Sequence, residues 1–139
     1  MGAAALHFEF APYRLRLKTP LETAVGTVTE RRGWIVRVFD EGGLAGIGEV
    51  APMRRAGTES HRDAGLRIDS IRAAGGALGL AIAEVPGSWD DALSQAYPGL
   101  PAFCFGIALA LWDRAARRPG LPLARVLTGD AEPDADVNG

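Results

Sequence analysis

A chain of 139 residues with 47% hydrophobic side chains fits one domain with a real core. Its formal net charge of −2 argues against a general binder of nucleic acid or of anionic membrane, which would need a basic face. Cys104 is the only cysteine, so an intrachain disulfide and a multi-cysteine zinc cluster are excluded.

The N-terminus has neither a basic n-region nor a long apolar core, so it does not read as a secretory signal. Leu6, Phe8 and Phe10 alternate with polar neighbours, as do Tyr13, Leu15 and Leu17. Each set has the period of two of a half-buried strand. The phase flips at Ala11-Pro12, which predicts a bulge or break there. Residues 19–31 carry no clear period and read as a loop that ends in a strand. Residues 33–39 are rich in β-branched and aromatic side chains, and Asp40-Glu41-Gly42-Gly43 reads as a hairpin turn. Residues 44–50 return as a third strand, completing an antiparallel meander.

Helices follow. Thr58 is the expected N-cap of a first helix, with Glu59 placed against its dipole. Ala64, Ile68, Ile71 and Ala74 recur at helical spacing, and Gly75-Gly76 ends the run. Ser88 opens a short helix that Pro98-Gly99 closes. Pro101 opens a helix to about Arg118, apolar on every side from Ala102 to Trp112, and residues 122–127 add a last turn or two. That apolar run is too short to span a bilayer, so the expected setting is the cytoplasm. The fold class is α+β: a three-stranded antiparallel meander followed by a helical bundle.

No catalytic constellation stands out from the residues alone. His61 lacks a partner at i+4 and reads as a helix residue more than a metal ligand. Gly46-Ile47-Gly48 lies in a returning strand without the third glycine of a dinucleotide loop, so its small residues read as permitting close backbone packing. Cys104 reads as core, and Asp113 as a hydrogen-bond acceptor to backbone or arginine. Arg54 and Arg55 are candidates to meet an anionic substrate.

Three stretches carry a resemblance: Thr23-Ala24-Val25-Gly26 with Arg31, Trp34-Ile35-Val36-Arg37-Val38, and Gly46-Ile47-Gly48-Glu49-Val50-Ala51-Pro52. With Phe105-Gly106-Ile107-Ala108-Leu109-Ala110-Leu111-Trp112-Asp113, they resemble the N-terminal capping domain of the enolase superfamily, nearest its muconate-lactonising branch. The branch often has Glu where Ala108 stands. The resemblance implies that residues 1–127 are the enolase-like cap. Residues 128–139 would be a linker and the start of the first strand of a C-terminal (β/α) barrel absent from this chain. It further implies that the barrel holds Mg²⁺ and the catalytic residues. No catalytic or metal-binding residue, and no bound cofactor, is then expected on this chain. The cap would contribute two loops, residues 21–26 and 52–57, over the barrel mouth. Thr23, Ala24, Val25, Gly26, Met53 and Arg54 are the implied substrate contacts.

Within the superfamily the runs Glu49-Val50-Ala51-Pro52-Met53, Gly57-Thr58-Glu59-Ser60 and Leu100-Pro101-Ala102-Phe103-Cys104-Phe105-Gly106 look most like the o-succinylbenzoate synthase group, lyases of menaquinone synthesis. The alternatives are an amino-acid or dipeptide racemase/epimerase, or a muconate cycloisomerase. In another class stands a non-enzymatic α+β interaction module. The expected partners are the barrel domain and a small-molecule carboxylate. Self-association of the isolated chain is expected through Phe103, Ile107, Leu111 or their neighbours.

Overall fold

The computed structural model describes residues 6–24, 26–78 and 88–118. Strands β1 (His7–Thr23), β2 (Gly26–Phe39) and β3 (Ala45–Val50) form one antiparallel sheet in the order β1-β2-β3. A 3₁₀ turn (Arg54–Ala56) leads to helices α1 (His61–Ala73), α2 (Trp89–Ala96) and α3 (Pro101–Ala116). The meander and the helices that follow match the expected fold class. The expected turn at residues 122–127, the linker and the strand start at 137–138 lie outside the described residues.

The helices cover one face of the sheet. Phe8, Phe10, Trp34, Val36, Val38 and Val50 point into the core. They meet Ala64, Ile68 and Ile71 of α1, Trp89 and Leu93 of α2, and Phe103, Ile107 and Leu111 of α3. Gly46 and Gly48 let α3 lie against β3. A Cβ on Gly48 would stand 2.2 Å from the carbonyl oxygen of Gly106, and one on Gly46 2.2 Å from that of Ala110. Close backbone packing at Gly46-Ile47-Gly48 is therefore what the structure shows.

Four sequence expectations are corrected. Residues 19–31 are not a loop, because β1 and β2 run on as a long hairpin with Leu21, Glu22 and Thr23 paired to Val28, Thr27 and Gly26. No described side chain of this extension is fully buried, so it has no apolar period to read. The irregularity falls between Arg16 and Leu21, while Ala11-Pro12 stays in register opposite Ile35 and Trp34. The Phe8 N–H donates outward to Gly76 O and the Arg72 guanidinium donates to Phe10 O, so even residues here present their backbone to the free edge. Pro12 lacks an N–H on that side, and the β1–β2 ladder loses nothing.

The N-cap of α1 is Ser60, whose Oγ accepts from Asp63 N at 3.1 Å, and not Thr58. Glu59, buried, serves a different helix: its carboxylate accepts from Ala102 N at 2.9 Å and Phe103 N at 2.8 Å. It therefore caps α3. Asp113 accepts from Ile47 N on the outer edge of β3 and from Arg117, as the sequence reading of an acceptor to backbone or arginine anticipated. At the β2–β3 turn, buried Arg114 donates to Asp40 and holds its carboxyl below the usual range.

α3 is enclosed on most of its surface. Phe103, Ile107 and Leu111 are 0–1% exposed, so they offer no contact to another molecule. The exposed apolar residues of this helix are Phe105 at 66% and Leu109 at 41%.

Candidate functional site

A cavity of about 410 Å³ opens between the far half of the β1–β2 hairpin and the segment that follows β3. The hairpin contributes Thr27, Val28, Thr29, Glu30, Arg31 and Arg32, and the opposite wall is Pro52, Met53, Arg54 and Arg55. Ser60 and His61, at the start of α1, complete it.

The second wall is short and tied at its base. Thr58 Oγ1 accepts from Met53 N at 2.6 Å, and Met53 O accepts from Ala56 N and Thr58 N. Gly57 turns the chain with φ of +96°, a conformation that glycine adopts without strain. Thr58 thus closes this loop, a role that local spacing did not reveal. The loop carries Arg54 and Arg55 outward on its 3₁₀ turn.

The first of the two expected loops is the paired end of the hairpin, and its Gly26 lies beside Arg55 of the second. Gly26 has φ of +139°, and the Arg55 Nη1 stands 3.0 Å from where a Cβ on Gly26 would be. Met53 and Arg54 line the cavity. Ala24 is exposed in the turn of the hairpin, and Thr23 ends β1 opposite Gly26. The side chain of Thr23 and the whole of Val25 lie outside the described residues. Arg55, a candidate for an anionic substrate from the sequence, lines the cavity too; Thr27, Thr29, Arg32 and His61 also line it and were not expected. These four depend on the hairpin reaching as far as the start of α1, which no local pattern signals.

The charge here is one-sided. Arg31, Arg32, Arg54 and Arg55 line the cavity with one carboxylate, Glu30, which pairs with Arg14 at 2.9 Å; Arg31 also bonds Tyr13 on the other face of the sheet. The His61 ring stacks on Trp34 with centroids 4.3 Å apart. Its burial, and then the charge of Arg32, push the imidazole pKa below its ordinary value, so it is neutral at pH 7.

A second cavity of about 360 Å³ lies along the β3 edge of α3, lined by Arg31, Glu49, Ala51, Thr58, Pro101, Ala102, Phe105 and Leu109. Beside it the Tyr13 hydroxyl donates to Glu49 on the sheet face away from the helices. Burial first, and then Glu49, push this phenol up to about 12. Cys104 is buried and its thiol is pushed up to about 11 by burial and by Glu59, so it is core and not a nucleophile. Among the described residues no three His, Cys, Asp or Glu side chains converge, so none of them forms a set fit to hold Mg²⁺. No helix among them is long and apolar enough to cross a membrane.

The chain is 31% identical over 116 residues to an o-succinylbenzoate synthase of Thermosynechococcus vestitus, matching 82% of this chain and 31% of that protein. An o-succinylbenzoate synthase structure from Thermosynechococcus elongatus BP-1, with Mg in its active site, superposes with a TM-score of 0.57 at 30% identity. That match covers 81% of this chain and 31% of the other. A dipeptide epimerase from Cytophaga hutchinsonii, complexed with Mg and D-Ala-L-Val, superposes with a TM-score of 0.67 at 25% identity, over 96% of this chain and 35% of that one. The chain thus spans about a third of the length of these relatives. The family model for the mandelate racemase / muconate lactonizing enzyme N-terminal domain matches residues 9–128. With the meander, the helices and nearly the whole described chain accounted for, this protein belongs to the mandelate racemase / muconate lactonizing enzyme family, of which it forms the N-terminal capping domain of the enolase superfamily.

Proposed function

We propose that the chain caps the active site of a larger enzyme of the o-succinylbenzoate synthase type. That enzyme dehydrates 2-succinyl-6-hydroxy-2,4-cyclohexadiene-1-carboxylate in menaquinone synthesis, in the cytoplasm. The observation that carries this reading is the 31% identity to an o-succinylbenzoate synthase across 82% of the chain. Mg²⁺ and the catalytic residues belong to the second domain of that enzyme. This chain supplies the hairpin segment at residues 21–26 and the loop at 52–57, with Thr23, Ala24, Val25, Gly26, Met53 and Arg54 at the substrate mouth. Closing such loops excludes water and selects the substrate.

A second reading, a dipeptide epimerase, is favoured by the superposition at TM-score 0.67. The test is to read the coding sequence beyond Gly139, produce the complete enzyme with Mg²⁺, and assay dehydration and dipeptide epimerisation side by side. Dehydratase turnover supports the first reading, and epimerase turnover alone replaces it. The absence of any following barrel would leave the chain as a binding module.

In the complete enzyme the second domain covers the exposed strip of Phe105 and Leu109. Without that cover the isolated chain self-associates through this strip, since burying apolar area is worth roughly 25 cal/mol per Å². Sedimentation over a concentration series tests this, with Phe105→Asp expected to restore the monomer. A wild-type chain monomeric at high concentration would remove the idea.

A further inference from the structure

We propose that the cavity between the β1–β2 hairpin and the Arg54–Ala56 turn is a subsite for a second carboxylate of the substrate, held chiefly by Arg54 and Arg55. The enzyme would then prefer dianionic acids to monoanionic ones. This rests on the reading of the chain as a substrate-facing cap.

Three observations carry it. The first is charge: Arg32, Arg54 and Arg55 line one cavity on a chain whose net charge is −2. The sole carboxylate there is already committed to Arg14. Among the described residues no ion pair involves Arg32, Arg54 or Arg55. Walls of low dielectric around like charges raise the local potential and draw an anion in.

The second is how the arginines are held. The loop that carries Arg54 and Arg55 is closed at its base by Thr58, so the two guanidinium groups are presented from a tied turn. Gly26 leaves open the space that the Arg55 guanidinium approaches, since a side chain there would begin 3.0 Å from Nη1. A planar guanidinium offers paired N–H donors that match the two oxygens of a carboxylate.

The third is the mixture of surfaces. Val28, Pro52 and Met53 supply apolar wall beside the arginines, with Thr27 and Thr29 also lining the cavity. This suits a short aliphatic arm ending in a carboxylate better than a compact, fully polar anion such as phosphate.

The chain itself permits a test that needs no turnover. His61 lies in the cavity, while His7 stacks on Phe39 at the other end of the sheet, and these are the only two histidines. Succinate titrated at constant pH and ionic strength is expected to shift the His61 ring protons saturably and leave those of His7 in place. Succinamate, with one carboxylate replaced by an amide, is expected to bind at least ~10-fold more weakly, and so is succinate to the Arg54→Gln/Arg55→Gln double variant. Arg55→Lys, which keeps the charge, is expected to retain part of the response. In the complete enzyme the double variant is expected to raise KM for a dianionic substrate roughly 10- to 100-fold with kcat within a few-fold.

No shift of His61, an equal shift of His7, an unchanged response in the double variant, or phosphate binding tighter than succinate would each overturn the proposal. The two readings fail separately. Saturable succinate binding by a chain whose complete enzyme neither dehydrates nor epimerises would leave the subsite and remove the function. An active enzyme whose cap ignores succinate would do the reverse.

Discussion

Replacing Glu59 by alanine is expected to destabilise the domain by about 3 kcal/mol, although Glu59 lies outside α3 and 43 residues before Ala102 in sequence. The figure comes from counting the donors at the start of α3. Pro101 is the first helical residue and has no N–H. The N–H of Cys104 is already bonded to Leu100 O at 2.9 Å. That leaves Ala102 N and Phe103 N, and the two oxygens of Glu59 take one each. Ala102 and Phe103 are buried, at 8% and 0% exposure, so water is a poor substitute partner. A buried donor without a partner costs about 1–3 kcal/mol, and two of them give about 3 kcal/mol after some water entry. This is a large part of the 5–15 kcal/mol that holds an ordinary domain together. Urea unfolding followed by circular dichroism is the assay. With a slope of about 1.5–2 kcal/mol per molar, the midpoint is expected to fall by about 1.5–2 M. Glu59→Gln is expected to fall in between, because its amide keeps one acceptor oxygen and turns a donor toward the second N–H. A loss below ~1 kcal/mol in Glu59→Ala, or no difference between the two variants, would refute the donor count.

Other outcomes follow from the same geometry. Gly48→Ala places a methyl 2.2 Å from the Gly106 carbonyl oxygen, backbone against backbone, and is expected to lower stability by at least ~3 kcal/mol. An unchanged thermal midpoint would show that α3 slides away at little cost. The Cys104 thiol is expected to resist a thiol-specific reagent at pH 8 until denaturant is added; rapid labelling of the folded chain would contradict its burial. Its pKa rises on folding from an ordinary 9.0 to about 11, so the unfolded thiol ionises first. The stability contributed by the buried neutral thiol is therefore complete below pH 9 and lost between pH 9 and 11, measurable as a falling urea midpoint that Cys104→Ala lacks. Ala24→Trp, at the exposed hairpin turn, is expected to change the kinetics of the complete enzyme while leaving its melting temperature within a degree or two. Unaltered kinetics would remove this turn from the substrate mouth.

How far the sequence could be read depended on whether an interaction leaves a local pattern. Phe8, Phe10, Trp34, Val36 and Val38 alternate because one face of their strands is buried, and they were legible as strands. The spaced glycines Gly46 and Gly48 were legible as a place of close approach. Residues 19–31 were not, since none of the described side chains there is fully buried and only pairing across the two strands defines the hairpin. Glu59 shows a second limit. An acidic residue just before a helix suggests that helix as its partner, and nothing local reveals that its oxygens reach another N-terminus. In α3 the nearly uniform apolar surface concealed which side is left open, and the choice of Phe105 and Leu109 over Phe103 and Ile107 is made by the position of β3. Of the cavity, Met53 and Arg54 came from family likeness. Arg32 and His61 join them only because the hairpin extends over the start of α1.

The treatment of the two sheet edges bears on how the chain behaves when it is crowded or partly unfolded. An open strand edge is a template on which a strand from another molecule pairs, and amyloid grows this way. Here Asp113 occupies the Ile47 N–H on one edge. On the other edge Gly76 and Arg72 occupy the start of β1, and Pro12, Arg14, Arg16, Lys18 and Pro20 follow along the rest of the strand. Proline removes donors, and a row of positive charge repels a second copy of itself. Clumps of this chain are therefore expected to be amorphous, dispersed by mild detergent and silent to thioflavin dyes, with the native circular dichroism signal of the sheet retained.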